Sequence, residues 1–173
     1  FKNGYEDGDD YVISNLKINE LTGQNPKKNV GLFRRIAEQG CVEGIHIKNA
    51  SVQGAYLTGI IAGSNQGTIE DVIIEDSKVT AAYYAGGVTG YNYATGVIQG
   101  SYLTGDFKTG STVDVDVTAV LSADRTLYIE NVGGTETPDY GWYIGGVAGV
   151  NCGSITQLST KESEVTGTAC VGG

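Results

Sequence analysis

An apolar residue, two intervening positions, a second apolar residue, one polar position and a third apolar residue recur along this chain. The copies are Ile13, Leu16 and Ile18, then Val42, Ile45 and Ile47, then Ile69, Val72 and Ile74, and later Ile155, Leu158 and Thr160. Their first members stand at 13, 42 and 69, intervals of 29 and 27 residues, and the step from 69 to 155 is 86 residues, close to three more. A period of this length marks units that cannot bury an apolar face alone and stack on their neighbours. Within a copy, as in Gly44-Ile45-His46-Ile47-Lys48, apolar and polar residues alternate with the two-residue period of a strand. No segment carries a helical stripe. A further valine follows the triplets at Val52, Val79 and Val165. The pattern therefore predicts an all-β solenoid with three short strands per turn, about six coils and a height of roughly 30 Å.

Glycine makes up 27 of the 173 residues while proline occurs only twice, so glycine supplies the breaks between strands. Each turn carries a glycine-bracketed apolar pair: Gly59-Ile60-Ile61-Ala62-Gly63, Gly86-Gly87-Val88-Thr89-Gly90 and Gly145-Gly146-Val147-Ala148-Gly149. Asn65, Asn92 and Asn151 follow two residues on. Asparagine repeated at one position of successive coils is expected to take a left-handed backbone or to form an amide ladder, which gives it a structural role.

The segments Phe1-Lys2-Asn3-Gly4, Asp7-Gly8, Tyr11-Val12-Ile13-Ser14-Asn15-Leu16 and Val30-Gly31-Leu32-Phe33, with the later Gly145-Gly146-Val147-Ala148-Gly149-Val150-Asn151 and Gly153-Ser154-Ile155, resemble the GLUG-repeat domains of bacterial cell-surface proteins. The resemblance covers most of the chain. It implies a right-handed parallel β-helix of the kind found in large secreted adhesins and in the non-catalytic part of immunoglobulin-A-cleaving peptidases. It also implies an extracellular or cell-surface location. It is specific for architecture and says little about activity.

One domain over 1–173 is expected, as a piece of a longer chain whose neighbouring repeats continue the stack. The stretch 105–140 loses the glycine brackets. It reads either as a degenerate coil, since Leu127-Tyr128-Ile129-Glu130-Asn131 echoes Ile45-His46-Ile47-Lys48-Asn49, or as an inserted hairpin or loop. The net charge of −9, with only Lys27-Lys28 and Arg34-Arg35 as basic pairs, argues against nucleic acid. No apolar run reaches the length of a membrane span, so no membrane insertion is expected of this segment. Cys41, Cys152 and Cys170 are odd in number and form no metal-binding spacing, so buried small residues is the plain reading, with a Cys152–Cys170 bridge left open.

Neither a catalytic residue, a metal nor a cofactor is expected. Asp114 and Asp116 lie on one face of the alternating stretch 113–118, about 7 Å apart. With Arg125 they form the core of an alternative reading as a glycan-cleaving lyase or hydrolase, but outward aspartates on a strand are ordinarily solvated. His46 is placed outward beside Lys17, Ile73, Tyr128 and Ser159, with no partner. No nucleophile elbow or HExxH pattern occurs. The aromatic residues offer more. Tyr83, Tyr84, Tyr91, Tyr93, Trp142 and Tyr143 gather in the central and later coils and form the expected ligand-binding set, for a host or bacterial surface glycan or a protein. The competing reading is stacking between coils. The expectation is thus a non-enzymatic adhesive or ligand-presenting module or rigid stalk, with a purely structural spacer as a further alternative.

Overall fold

The computed structural model describes residues 5–7, 11–20, 28–100, 111–119, 142–160, 163–166 and 169–172. Among these there is no helix, and every strand pairing is parallel. The chain passes repeatedly through four sheets in one order. Its first passage comprises β1 (Tyr5–Asp7), β2 (Val12–Ser14), β3 (Lys17–Asn19), β4 (Asn29–Val30) and β5 (Phe33–Ile36). The second comprises β6 (Cys41–Glu43), β7 (His46–Lys48), β8 (Ser51–Gly54), β9 (Leu57–Thr58) and β10 (Ala62–Asn65). In the third, β11 (Thr68–Glu70) leads to one long strand, β12 (Ile73–Ala81), then β13 (Tyr84–Gly86) and β14 (Thr89–Asn92). The fourth holds β15 (Val97–Gln99), β16 (Ser111–Ala119), β17 (Trp142–Gly145) and β18 (Ala148–Asn151). The last described strands are β19 (Ser154–Thr156), β20 (Leu158–Thr160), β21 (Val165–Thr166) and β22 (Ala169–Gly172).

Sheet one is β1-β6-β11-β15-β19, sheet three is β4-β9-β13-β17-β22 and sheet four is β5-β10-β14-β18. Sheet two contains β2-β7-β12-β16-β20, with β3, β8 and β21 paired alongside. Each strand lies on the equivalent strand of the next passage, so equivalent aliphatic residues form columns. Val42, Ile69, Ile98 and Ile155 make one, and Ile13, Ile47, Ile74 and Val113 a second. A third runs through Ile18, Val52, Val79, Val117 and Val165. The central members Val42, Ile47, Val52, Ile69, Ile74, Val79 and Ile98 are completely buried and belong to one continuous core.

This register corrects the alignment read from spacing alone. The first apolar triplet belongs one strand later: Ile13 pairs with Ile47, and Ile18 with Val52. Two columns of left-handed corners accompany these pairings. Asn15, Asn49 and Asp76 have φ of 59°, 55° and 48°, and the amides of Asn15 and Asn49 donate to Lys48 and Glu75 of the next passage. Gly44, Asp71 and Gln157 form the other corner, with φ of 67°, 50° and 56°. Asn, Asp and Gly tolerate this conformation best, and both corners stand two residues after a column aliphatic, so the local pattern alone allows either alignment and the strand pairing decides between them. The 86-residue interval is likewise two steps of sheet one, because Ile98 pairs directly with both Ile69 and Ile155. Sheet one accordingly holds five described strands, against the six coils that even spacing predicts. The added length falls between β15 and β17, where β16 pairs with β12 across Ile73–Ala81 with a register shift between Ile74 and Ser77, and 101–110 and 120–141 lie outside the described residues.

Four sheets per passage also replace the expected three strands per turn. The glycine-bracketed pair, which reads as a turn because it lacks alternation, supplies two strands whose backbones approach closely. A Cβ built on Gly59 would lie 2.5 Å from Thr89 Cα, and one on Gly90 would lie 2.8 Å from Leu57 Cα. No side chain fits between sheets three and four at these positions, which explains the glycine content better than turn-making does.

Candidate functional site

The outer edge of sheets three and four carries a strip of tyrosines. Tyr84 and Tyr143 stack nearly parallel, with ring centroids 5.3 Å apart and an interplanar angle of 7°. Tyr56 meets Tyr83 at 5.4 Å and Tyr84 edge-on at 5.2 Å. Tyr83 and Tyr84 lie 6.5 Å apart. Tyr84 also meets Tyr91 edge-on at 6.2 Å, and Tyr91 meets Tyr93 at 4.5 Å. All are half-buried except Tyr93, which is exposed. Parallel pairing explains the gathering: a residue repeated on successive passages recurs at the strand spacing, and rings at that distance prefer offset or edge-to-face contact. Tyr143 has a left-handed backbone, φ 58°, beside Ile144, which pairs with Ala85.

The structure thus brings together Tyr83, Tyr84, Tyr91, Tyr93 and Tyr143 from the expected set. Trp142 opens β17, opposite Ala169. Tyr102, Tyr128 and Tyr140 lie outside the described residues. Sequence reasoning missed Tyr56, although Ala55-Tyr56-Leu57 stands before its glycine bracket as Ala82-Tyr83-Tyr84 does before the next. Ala55 and Ala82 form a small separate core against which Tyr83 packs.

The strip's chemistry is that of neutral phenols. Burial, then the neighbouring Tyr56, pushes Tyr84 up to about 12. A hydrogen bond to Cys152, then burial, takes Tyr91 up to about 12. Its hydroxyl lies 3.4 Å from Cys152 Sγ. Burial also raises Tyr56. These groups present hydroxyls and ring edges and supply no phenolate near neutral pH.

Two expectations about single residues are corrected. His46 pairs with Val12 and Ile73 rather than with Lys17, and it has a partner: its Nε2 lies 3.0 Å from Glu75 Oε2. Lys48 Nζ adds contacts of 3.6 Å to Glu75 and 3.5 Å to Asp76. The hydrogen bond to His46, aided by Lys48, holds the Glu75 carboxyl below its ordinary range. Cys152 is exposed rather than buried and carries a free thiol; Cys41 is half-buried and also free. Burial, with Glu43 and Glu70 nearby, raises the Cys41 thiol away from the reactive thiolate.

The asparagines do form an amide ladder. Asn65 Nδ2 donates to Asn92 Oδ1 at 2.9 Å, and Asn92 Nδ2 donates to Asn151 Oδ1 at 2.8 Å. The two end carbonyls of the ladder also accept a local amide where the chain turns, Gly67 N donating to Asn65 Oδ1 and Gly153 N to Asn151 Oδ1. Asp116 pairs with Lys78, while Asp114 falls where the β12–β16 register shifts. Arg125 lies outside the described residues. No group of three or more His, Cys, Asp or Glu side chains among the described residues is arranged to hold a metal ion. No helix long and apolar enough to cross a membrane occurs among the described residues.

No protein-family model matches the chain, and neither a curated protein nor a solved structure shows significant similarity to it.

Proposed function

We propose that the chain is a right-handed parallel β-helix module of an extracellular or cell-surface protein, related to the GLUG-repeat domains, and that it is non-enzymatic. The recurrence of four parallel sheets in one order supports the β-helix reading. One observation carries the functional part: six tyrosines from three passages form a continuous, half-exposed strip on a rigid scaffold. Tyrosine combines a large apolar contact with a hydroxyl and loses few rotamers on binding, so such a strip suits recognition of a surface glycan or protein. Ligand presentation or adhesion is the role this favours.

The rigid-spacer reading has its own support. Tyr84 and Tyr143 turn their faces toward each other, so part of the aromatic surface is spent on stacking between passages. Binding of the wild type and two double variants, Tyr91→Ala with Tyr93→Ala and Tyr84→Ala with Tyr143→Ala, to glycan arrays and to surface proteins separates the two. An adhesive strip predicts binding that falls in the Tyr91/Tyr93 variant while its unfolding midpoint barely moves. Binding indifferent to both variants, with stability lost only in the Tyr84/Tyr143 variant, would establish the spacer.

A further inference from the structure

Charge is confined to part of the circumference of this stack. The stretches 54–69, 79–100 and 142–160 contain no Asp, Glu, Lys, Arg or His, in a chain of which 18% is charged. They hold every strand of sheets three and four from β9 to β18, and with them the tyrosine strip. Glu43, Glu70, His46, Lys48, Glu75 and Lys78 stand instead on sheets one and two. Among the described strands of sheets three and four, only β5 of the first passage carries charge, at Arg34 and Arg35.

The uncharged face is not an aliphatic one. Ile60, Ile61, Val88 and Ile144 point inward and are buried, and between residues 54 and 100 the only large apolar side chain exposed is Tyr93. Its ring lies 4.5 Å from that of Tyr91. Tyr93 N donates to Asn65 O, and Thr95 Oγ1 donates to Gln66 O, so Gln66, Tyr93 and Thr95 share the corner that follows sheet four. This corner offers an aromatic face surrounded by hydroxyls and an amide, all neutral. Arg35, at its border, donates to Gln66 Oε1.

Three kinds of ligand make different demands on such a surface. A protein partner ordinarily covers an apolar patch within a polar and charged rim, and this face has neither aliphatic patch nor charged rim. An acidic glycan is held by paired cations, and the net charge of −9 repels it. A neutral sugar needs a ring on which to lay its C–H face and uncharged donors and acceptors for its hydroxyls, which is what the corner supplies. We propose that the ligand of the tyrosine strip is an uncharged glycan, with one sugar ring lying on Tyr93 and its hydroxyls exchanging hydrogen bonds with Tyr91, Thr95 and Gln66. This assignment rests on the strip being a recognition surface.

The test is calorimetric titration of the intact chain with neutral gluco-, manno- and N-acetylchito-oligosaccharides and, as acidic counterparts, oligogalacturonate and sialyllactose. Each is run at about 0.05 M and about 1 M salt, where charge-driven binding weakens steeply. Sedimentation velocity, run alongside, reports association with a second copy. At least one neutral oligosaccharide is expected to bind, with an affinity that changes less than about twofold with salt. Tyr93→Ala is expected to weaken it about tenfold or more, and Tyr93→Phe, which keeps the ring, to retain most of it. Tyr93 is exposed, so both variants should keep the wild-type unfolding midpoint. Tyr93-dependent binding of acidic glycans alone, Tyr93-dependent self-association, or an affinity that collapses in salt would overturn the neutral-glycan assignment and leave the recognition surface standing. Neutral-glycan binding indifferent to Tyr93→Ala would overturn the placement. If Tyr93→Ala alters binding to no probe and no self-association, both the assignment and the recognition surface fall.

Discussion

Thr58 is a defect that physical chemistry can price. It stands in the inward column of sheet three between Val30 and Ala85, is fully buried, and its Oγ1 has no hydrogen-bond partner among the described residues. A hydroxyl withdrawn from water without compensation is destabilising, so Thr58→Val, which keeps the shape, should raise the unfolding free energy by about 1 kcal/mol in urea denaturation. Glu75 acts in the opposite sense. Its folded-state ionisation lies below the ordinary value of 4.5, so its contribution is complete above that value and disappears as the pH falls through the lowered one. Glu75→Gln should therefore cost a little stability at neutral pH, and the difference from wild type should shrink toward zero in strong acid; a difference that persists there would rule out the ionic account. The pair with His46 is partly exposed, so the neutral-pH loss belongs in the range of about 0.2 to 1 kcal/mol.

Within the elements, the aliphatic columns and the asparagine ladder were legible in the sequence because identical residues recur where identical geometry recurs. The strand count per turn was not. Sheets three and four are written in glycine, alanine and threonine, whose spacing carries no alternation, and their pairing depends on backbone proximity that a sequence pattern does not display. The register of the first passage was hidden for a related reason: a left-handed corner follows the aliphatic by two residues in both triplets, Asn15 after Ile13 and Gly44 after Val42, so the two alignments look alike in the sequence. The tyrosine strip was visible as a gathering of residues, but which faces the rings present emerged only from their angles. The ladder also yields the sharpest element-scale prediction. Asn92 is fully buried, both donates and accepts within it, and links β10 to β18. Asn92→Leu removes both ladder bonds and the donation to Gly96 O, while Asn65 Nδ2 keeps Gly67 O and Val97 O and Asn151 Oδ1 keeps the Gly153 amide, so it should cost about 1 to 3 kcal/mol by denaturant titration. For comparison, Ile74→Ala, a cavity in the central column, should cost about 2 to 5 kcal/mol.

At the scale of the whole molecule, burial is graded along the stack. Ile47 and Ile74 are completely covered, while Ile13 in the same column is 36% exposed and Tyr11 beside it 76%. In a structure where each passage touches only its neighbours, stability is close to a sum of local terms, and opening begins where there are fewest. Native-state hydrogen exchange should find the slowest amides in β10, β12 and β14 and the fastest in β2 and β3; uniform protection throughout would argue for a single cooperative unit. The direction of the inter-strand hydrogen bonds has a mechanical consequence. They run from one passage to the next, so tension applied along the stack peels passages away one after another, loading few bonds at a time. A load applied along the strands must shear whole rows together, so the arrangement is soft to a lengthwise pull and stiff to a transverse one.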